Sequence, residues 1–219
     1  HEYGAGYRTP QLLGTRWELD LTAGRTRAGT IASQSIAHPF VGEVGRWAAR
    51  QSYERHDRYF GYTARVGDEP LHLLLPVRAK SFEMAAMGRA GRIGDMTLFG
   101  AALSLQELHY PGGEGAIRLV AGEEWDDDEP AGEEWTAPVM SQMRPIESLR
   151  LYLLFGRRSV AWVKRRGLDS MKGDQDIRLG SEVELAVGHS LPGRRHDRSL
   201  SGTLSLYHGL ETRNLLATG

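Results

Sequence analysis

Residues 162–192 read WVKRRGLDSMKGDQDIRLGSEVELAVGHSLP, and the second half of this stretch decides the fold class. Its apolar positions recur with a period of two and are Ile177, Leu179, Val183, Leu185 and Val187. The charged positions fall between them and are Arg178, Glu182 and Glu184. Successive side chains of a strand point to opposite faces, so the run predicts a strand with one apolar and one charged face.

Two architectures contain a strand with this alternation. Its length is what a tilted strand needs to cross a bilayer, and alternation along each strand is typical of a transmembrane β-barrel. A long strand of a soluble sandwich with one wet face has the same alternation. This stretch alone does not separate the two.

Composition removes several classes of protein. The chain has 219 residues, 40% of them hydrophobic and 25% charged, which fits one large all-β domain or a part of one. No run of eighteen apolar residues is present, which excludes a helical membrane span. The absence of cysteine excludes disulfides and thiolate sites, and a net charge of −1 gives no field that attracts nucleic acid. The chain begins at His1 without a signal peptide, so we expect a piece of a longer, processed protein.

Further strands are predicted along the rest of the chain, mostly joined as hairpins. One hairpin turn is expected at residues 91–94, and no stretch has the pattern of a convincing amphipathic helix. Together with the strand described above, about twelve or thirteen strands are expected. The other ranges are 15–24, 26–37, 45–55, 58–66, 71–77, 82–90, 96–108, 117–120, 139–143, 149–155 and 200–210.

The charged faces favour the barrel over the sandwich. A solvated sheet face usually carries Lys, Thr and Ser, whereas arginines far outnumber lysines in this chain. Arginine pairs bidentately with carboxylates and suits a crowded, partly dehydrated lumen. We therefore expect an all-β, antiparallel transmembrane β-barrel, truncated from a parent of about 12 to 16 strands. Residues 1–219 would form a single barrel domain or a fragment of one.

Three landmarks resemble the BamA/TamA type of outer-membrane assembly factors. Gly14 follows Pro10-Gln11-Leu12-Leu13, and a later strand ends on Pro39-Phe40, as in the first strands of that barrel. The segment Arg165-Arg166-Gly167-Leu168 looks like the family's Val-Arg-Gly-Phe signature, with Arg166 and Gly167 identical. The resemblance runs through nearly the whole chain in order.

The resemblance implies a barrel of the bacterial outer membrane that inserts or exports other proteins without nucleotide, enzymatic activity or a cofactor. Its implied partners are unfolded or exported β-barrel proteins, outer-membrane lipid, and periplasmic or lipoprotein components. The periplasmic repeats that precede such barrels are absent from this sequence. The alternative is a passive outer-membrane pore or structural barrel, whose lumen charges would set ion selectivity.

In the family, the signature sits on a loop folded back into the lumen, which implies a latch formed by Arg165, Arg166, Gly167 and Leu168. A guanidinium that loses hydration in a lumen needs a carboxylate partner. Glu184, and Glu182 as second choice, lie on the charged side of the next strand. The alternative is a basic turn exposed to water.

The acidic segment at residues 121–135 is the remaining unusual feature. The five residues AGEEW occur at 121–125 and again at 131–135, with four acidic residues between them. Carboxylates at this density can bind calcium, but their spacing matches no known loop. A solvated external loop is the favoured interpretation.

Enzymatic sites find little support in the sequence. Ser190 follows His189, but no serine stands in a Gly-x-Ser-x-Gly motif. The eight histidines include no pair at i, i+4, as a helical zinc site would require. We therefore predict neither catalysis nor a metal site.

Overall fold

The computed structural model describes residues 2–42, 45–66, 69–112, 116–120, 128–166, 174–191, 199–212 and 215–218. These residues form twelve strands, one short 3-10 helix and one α-helix. The first six strands are β1 (Tyr3–Thr9), β2 (Glu18–Thr26), β3 (Gly29–His38), β4 (Trp47–Val66), β5 (Glu69–Arg92) and β6 (Asp95–His109). The remaining strands are β7 (Arg118–Val120), β8 (Asp128–Pro130), β9 (Ile146–Arg166), β10 (Asp174–Ser190), β11 (Leu200–Thr212) and β12 (Leu215–Thr218). The 3-10 helix is Leu12–Gly14, and α1 is Glu133–Gln142.

All the strands belong to one antiparallel sheet, which confirms the predicted all-β class. Its order is β1-β2-β3-β4-β5-β6-β9-β10-β11-β12, with β7 paired to β5 and β8 to β7. Apart from the step from β6 to β9, neighbours along this order are also neighbours in sequence. Within the described residues β1 and β12 do not pair with each other, so the sheet is open.

The alternation predicted for β10 is confirmed by its register. Leu185 lies opposite Phe155 of β9 and Leu204 of β11, whereas Glu184 lies opposite Gly156 and Ser205. The predicted hairpin turn is also present, because Arg92 pairs with Asp95 and both Gly91 and Gly94 have positive φ. Only glycine adopts such backbone angles at low cost.

Two predicted strand breaks were wrong. Residues 45–55 and 58–66 form the single strand β4, and residues 71–77 and 82–90 form the single strand β5. Polar residues in the predicted breaks are instead paired across the two strands: Arg78 donates to Asp57 at 2.9 Å. Long strands therefore continue through charged positions.

The segment between β6 and β9 corrects two further predictions. Residues 139–143, predicted as a strand, lie largely in α1. Glu133 and Glu134 begin this helix, where acidic side chains interact favourably with the helix dipole, so this part of the acidic segment is not a loop. Asp128–Pro130 of the same segment form strand β8, which also corrects the loop prediction, and residues 121–127 lie outside the described residues.

The β7–β8 hairpin and α1 pack on the end of β5 beyond β6. Leu73 and Leu75 of β5 are buried with Ile117 and Ala131, and Val139 and Met140 of α1 pack against them. We call β7, β8 and α1 the cap.

Both ends of the β9 to β12 region extend further than predicted. β9 runs from Ile146 to Arg166 and therefore includes Arg165 and Arg166, which were predicted in a turn. β12 follows β11, which was predicted to be the last strand.

Candidate functional site

A row of polar residues crosses eight neighbouring strands at one level of the sheet. The register relationships of these strands connect the row from β1 to β10. In order, its members are Arg8, Asp20, Ser35, Ser52, Glu83, Ser104, Arg150 and Ser190. Ser52, Ser104 and Ser190 are buried, with relative exposures of 9%, 7% and 3%. We call this side of the sheet the polar face.

The adjacent row faces the other side, which we call the apolar face. It consists of Leu19, Ile36, Gln51, Met84, Leu103, Leu151 and His189. Large side chains of this face are exposed, including Leu153 at 67%, Leu204 at 60% and Leu206 at 64%. Small polar residues are thus buried while large apolar residues are exposed, which inverts the distribution of a sheet folded in water.

Two side-chain amides, those of Gln34 and Gln51, form a polar contact within the apolar face. Gln34 Nε2 donates to Gln51 Oε1 at 2.9 Å, and Gln51 Nε2 donates back to Gln34 Oε1 at 3.4 Å. Each side chain satisfies the other across β3 and β4. Mutual pairing lowers the cost of placing amides among apolar neighbours.

Charged residues mark the two edges of the apolar face. On β9, residues 148–156 separate Glu147 from Arg157, and on β6, residues 96–106 separate Asp95 from Glu107. Arg157 forms an ion pair with Asp95 and donates to Thr97 Oγ1 at 3.0 Å. The intervals are nine and eleven residues, the number that a tilted strand needs to cross hydrocarbon.

The edge that includes Glu107 continues onto β4 and β5. Asp57 accepts from Arg55 Nη2 at 2.6 Å and from Arg78 Nε at 2.9 Å. Lys80 Nζ lies 3.7 Å from Glu107. Alternating charges therefore cross three strands at this edge, where cross-strand pairing offsets the loss of hydration.

On the polar face a cavity of about 390 Å³ lies against β1 to β4. Arg8 lies 3.7 Å from Asp20 at its wall, in an ion pair that is largely exposed. The polar side chains of this face around the cavity are those of Arg8, Glu18, Asp20, Ser33, Ser35, Arg50, Ser52 and Glu54. Both signs of charge line it, so it can accommodate water, ions or polar peptide but has no strong preference for anions.

A second polar cluster lies on β10 and β11. Arg178 forms an ion pair with Glu182, and its guanidinium carbon lies 4.2 Å from the centre of the Tyr207 ring. The Tyr207 hydroxyl donates to the carbonyl oxygen of Arg178 at 2.6 Å. Gly180, between the two charged residues, has φ of 109°. Sequence reasoning placed Arg178 on the charged face but missed it as the partner of Glu182, although their shared parity was a usable signal.

The predicted latch residues lie at the far end of the β9–β10 pair. Arg165 and Arg166 are in register with Gln175 and Asp174, whereas Glu184 lies opposite Gly156 and Glu182 opposite Arg158. Ten residues of strand separate positions 174 and 184, or roughly 33 Å. The structure brings Glu182 to Arg178, and it does not bring Glu182 or Glu184 to Arg166. Gly167 and Leu168 lie outside the described residues, and the latch stays a prediction.

An aromatic cluster lies at the opposite edge of the apolar face from Asp57. The His38 ring stacks on Trp47 with centroids 3.9 Å apart and an angle of 7°. Trp17 meets His38 edge-on at 5.4 Å and Trp47 at 6.1 Å. Sequence reasoning missed this cluster, because each member comes from the end of a different strand and only the register brings them together.

The described part of the chain contains no helix that is long and apolar enough to cross a membrane. Across the same residues, no group of three or more His, Cys, Asp or Glu side chains is arranged to hold a metal ion. Comparison with known proteins adds no family assignment: no protein-family model and no curated protein sequence matches this chain.

Proposed function

We propose that this chain forms the wall of a transmembrane β-barrel of the bacterial outer membrane. The polar face would line the lumen, and the apolar face would contact lipid. The observation that carries the proposal is the inverted burial, in which serines of the polar row are buried while leucines of the apolar face are exposed. In lipid every backbone group needs a partner within the protein, which a closed sheet provides.

The function that we propose for this barrel is assembly or export of other β-proteins without nucleotide. The sequence landmarks around Gly14, Pro39 and Arg166 support it through their resemblance to BamA/TamA-type factors. The sheet supports it as well, since β1 and β12 each have one strand neighbour in the described structure. A strand with an unpaired edge can accept an incoming strand by β-augmentation.

A passive pore is the second candidate, and the mixed charges on the polar face favour it. Arg8, Asp20 and Arg50 line the cavity there, and charged side chains in a lumen select ions. A pore requires a stably closed seam, whereas an assembly factor requires a seam that opens. The two functions therefore require different states of the edge of β1: closed in a pore, and able to open in an assembly factor.

Site-specific crosslinking at β1 separates the two functions. A photoreactive residue replaces Ala5 of β1, and the control replaces Ala32 of β3, which lies in the same row and face but has strands on both sides. The chain is reconstituted in vesicles, and an unfolded outer-membrane β-barrel protein is added from urea. We expect a crosslink to that protein from position 5 and none from position 32.

Absence of any crosslink from position 5, together with steady single-channel conductance, would overturn the assembly function in favour of the pore. Equal crosslinking from both positions would show adsorption to the surface and would equally contradict strand addition. Insertion itself is checked by heat-modifiable mobility on a gel, which a folded membrane barrel shows and an unfolded chain does not.

A further inference from the structure

The polar face becomes apolar towards the start of β5. Glu83 belongs to the polar row, and the side chains before it on the same face are those of Ser81, Ala79, Val77, Leu75 and Leu73. Arg78 marks the charged edge of the apolar face on this strand. Leu75 and Leu73 therefore lie roughly 10 and 17 Å beyond that edge. This apolar stretch is outside the proposed hydrocarbon region, at one mouth of the lumen.

The cap covers this apolar stretch from the lumen side. Leu119 of β7 lies opposite Leu73 in the register, and directly opposed residues of two strands share a face of the sheet. Leu73 belongs to the buried cluster at the cap, and the side chains of α1 that pack against this cluster include Val139 and Met140. Helix α1 therefore lies on the polar side of the sheet, which we assign to the lumen, and not on the side that we assign to lipid.

Helix α1 depends on this packing for its stability. It has ten residues, and isolated helices of that length are marginal in water. Its N-cap residue is Gly132, which has no side chain to cap the helix, and Pro138 within it removes one backbone hydrogen bond. It contributes no strand to the sheet. Helix α1 can therefore leave the cluster while β7 and β8 stay paired.

We propose that α1 is a gate at this mouth of the lumen. Docked on Leu73 and Leu75, the helix narrows the mouth, and its release opens the lumen to ions and polar solutes. An α-helix with its side chains is about 10 to 12 Å across, so its release changes the open area by more than the size of a small solute. The inference rests on the proposed membrane barrel, and it applies to an assembly factor and to a pore alike.

Conductance across planar bilayers tests the gate. The full chain is inserted, and currents are recorded for the wild type, Val139→Asp and Met140→Asp. An aspartate at either position would face a cluster of buried apolar side chains, so we expect α1 to leave the cluster and the time-averaged conductance to rise about tenfold or more. Ala137→Asp is the matched control, because it adds the same charge to an exposed residue of the same helix, and it should keep the wild-type conductance.

A crosslinked variant tests the closed state. A Cβ atom added at Gly112 would lie 3.0 Å from Met140 Cε, so side chains at these two positions can be joined. The variant carries Gly112→Cys and Met140→Cys, and the natural chain has no cysteine. After treatment with a short bifunctional thiol reagent, we expect its openings to disappear. Each single cysteine variant should keep its own conductance after the same treatment.

Insertion is scored first by heat-modifiable mobility, so the two proposals fail separately. Inserted aspartate variants that conduct like the wild type, an equal rise in Ala137→Asp, or openings that survive the crosslink would each overturn the gate alone. A chain that does not insert overturns the membrane barrel and the gate with it.

Discussion

At the scale of single residues, the Arg178–Glu182 pair offers the sharpest energetic test. The two side chains are 27% and 17% exposed, so each has lost much of its hydration. Arg178→Ala would leave Glu182 without its partner, and we expect a loss of about 1 to 3 kcal/mol in the free energy of unfolding. Arg178→Lys should restore part of it, because an ammonium lacks the planar fork of the guanidinium.

Urea unfolding from vesicles measures this effect, and a double-mutant cycle with Glu182→Ala isolates the pair. Coupling below about 0.5 kcal/mol would show that the two charges do not interact. The same cycle on Arg166 and Glu184 tests the predicted latch. Their strand positions lie roughly 33 Å apart in this register, so coupling there requires a different path for the segment.

Gly180 is a residue whose replacement should be poorly tolerated. Its φ is 109°, and a Cβ atom there would lie 2.1 Å from the carbonyl oxygen of Ser159. We expect Gly180→Ala to destabilise the folded chain by about 2 kcal/mol or more in urea unfolding. Gly202→Ala is the control, since its Cβ would meet only the Ala186 carbonyl oxygen at 3.8 Å. Equal stabilities of the two variants would contradict the described backbone of β10.

At the scale of elements, the cap should unfold separately from the sheet. Its contact with β5 depends on Leu73, Leu75 and Ile117, which are 1 to 2% exposed. Ile117→Ala removes buried methyl groups, and we expect it to destabilise the cap by about 2 to 4 kcal/mol. Hydrogen exchange should then accelerate in β7, β8 and α1 while amides of β9 and β10 keep their protection.

The control for the cap is Leu13→Ala, because Leu13 is 93% exposed and its removal should leave exchange unchanged. Simultaneous loss of protection in β9 and β10 would show that the cap and sheet form one cooperative unit.

Strands were predictable from the sequence where apolar and polar residues alternate with a period of two. The strands β2, β6 and β10 follow their alternation, because one face of each is apolar along most of its length. β4 and β5 were divided in error because charged residues such as Asp57 and Arg78 interrupt the apolar positions of each strand, and their pairing depends on a partner strand that no local pattern reveals. Helix α1 was missed because its stability comes from packing on Leu73 and Leu75, distant in sequence.

At the scale of the whole molecule, the sequence predicted that the sheet has one polar and one apolar face. It did not predict which residues of different strands lie beside one another. The two-residue alternation of β10 predicted that Glu182 and Glu184 lie on its charged side, and the register of β10 with β9 agrees with that prediction. The eight-residue polar row and the Trp17–His38–Trp47 cluster depend on the stagger between strands, which the sequence does not specify. The segment at residues 165–168 carries a family resemblance; Arg165 and Arg166 lie in β9, whereas Gly167 and Leu168 lie outside the described residues.

Cysteine scanning along β9 tests whether the apolar face contacts lipid and the polar face lines the lumen. The chain contains no cysteine, so each introduced thiol reports one position. Single cysteines replace Leu151, Tyr152, Leu153 and Leu154 in the chain reconstituted in vesicles, and a charged, membrane-impermeant thiol reagent is added. We expect slow labelling at 151 and 153, which face lipid, and fast labelling at 152 and 154, which face the lumen. Uniform fast labelling, or the reverse alternation, would contradict it.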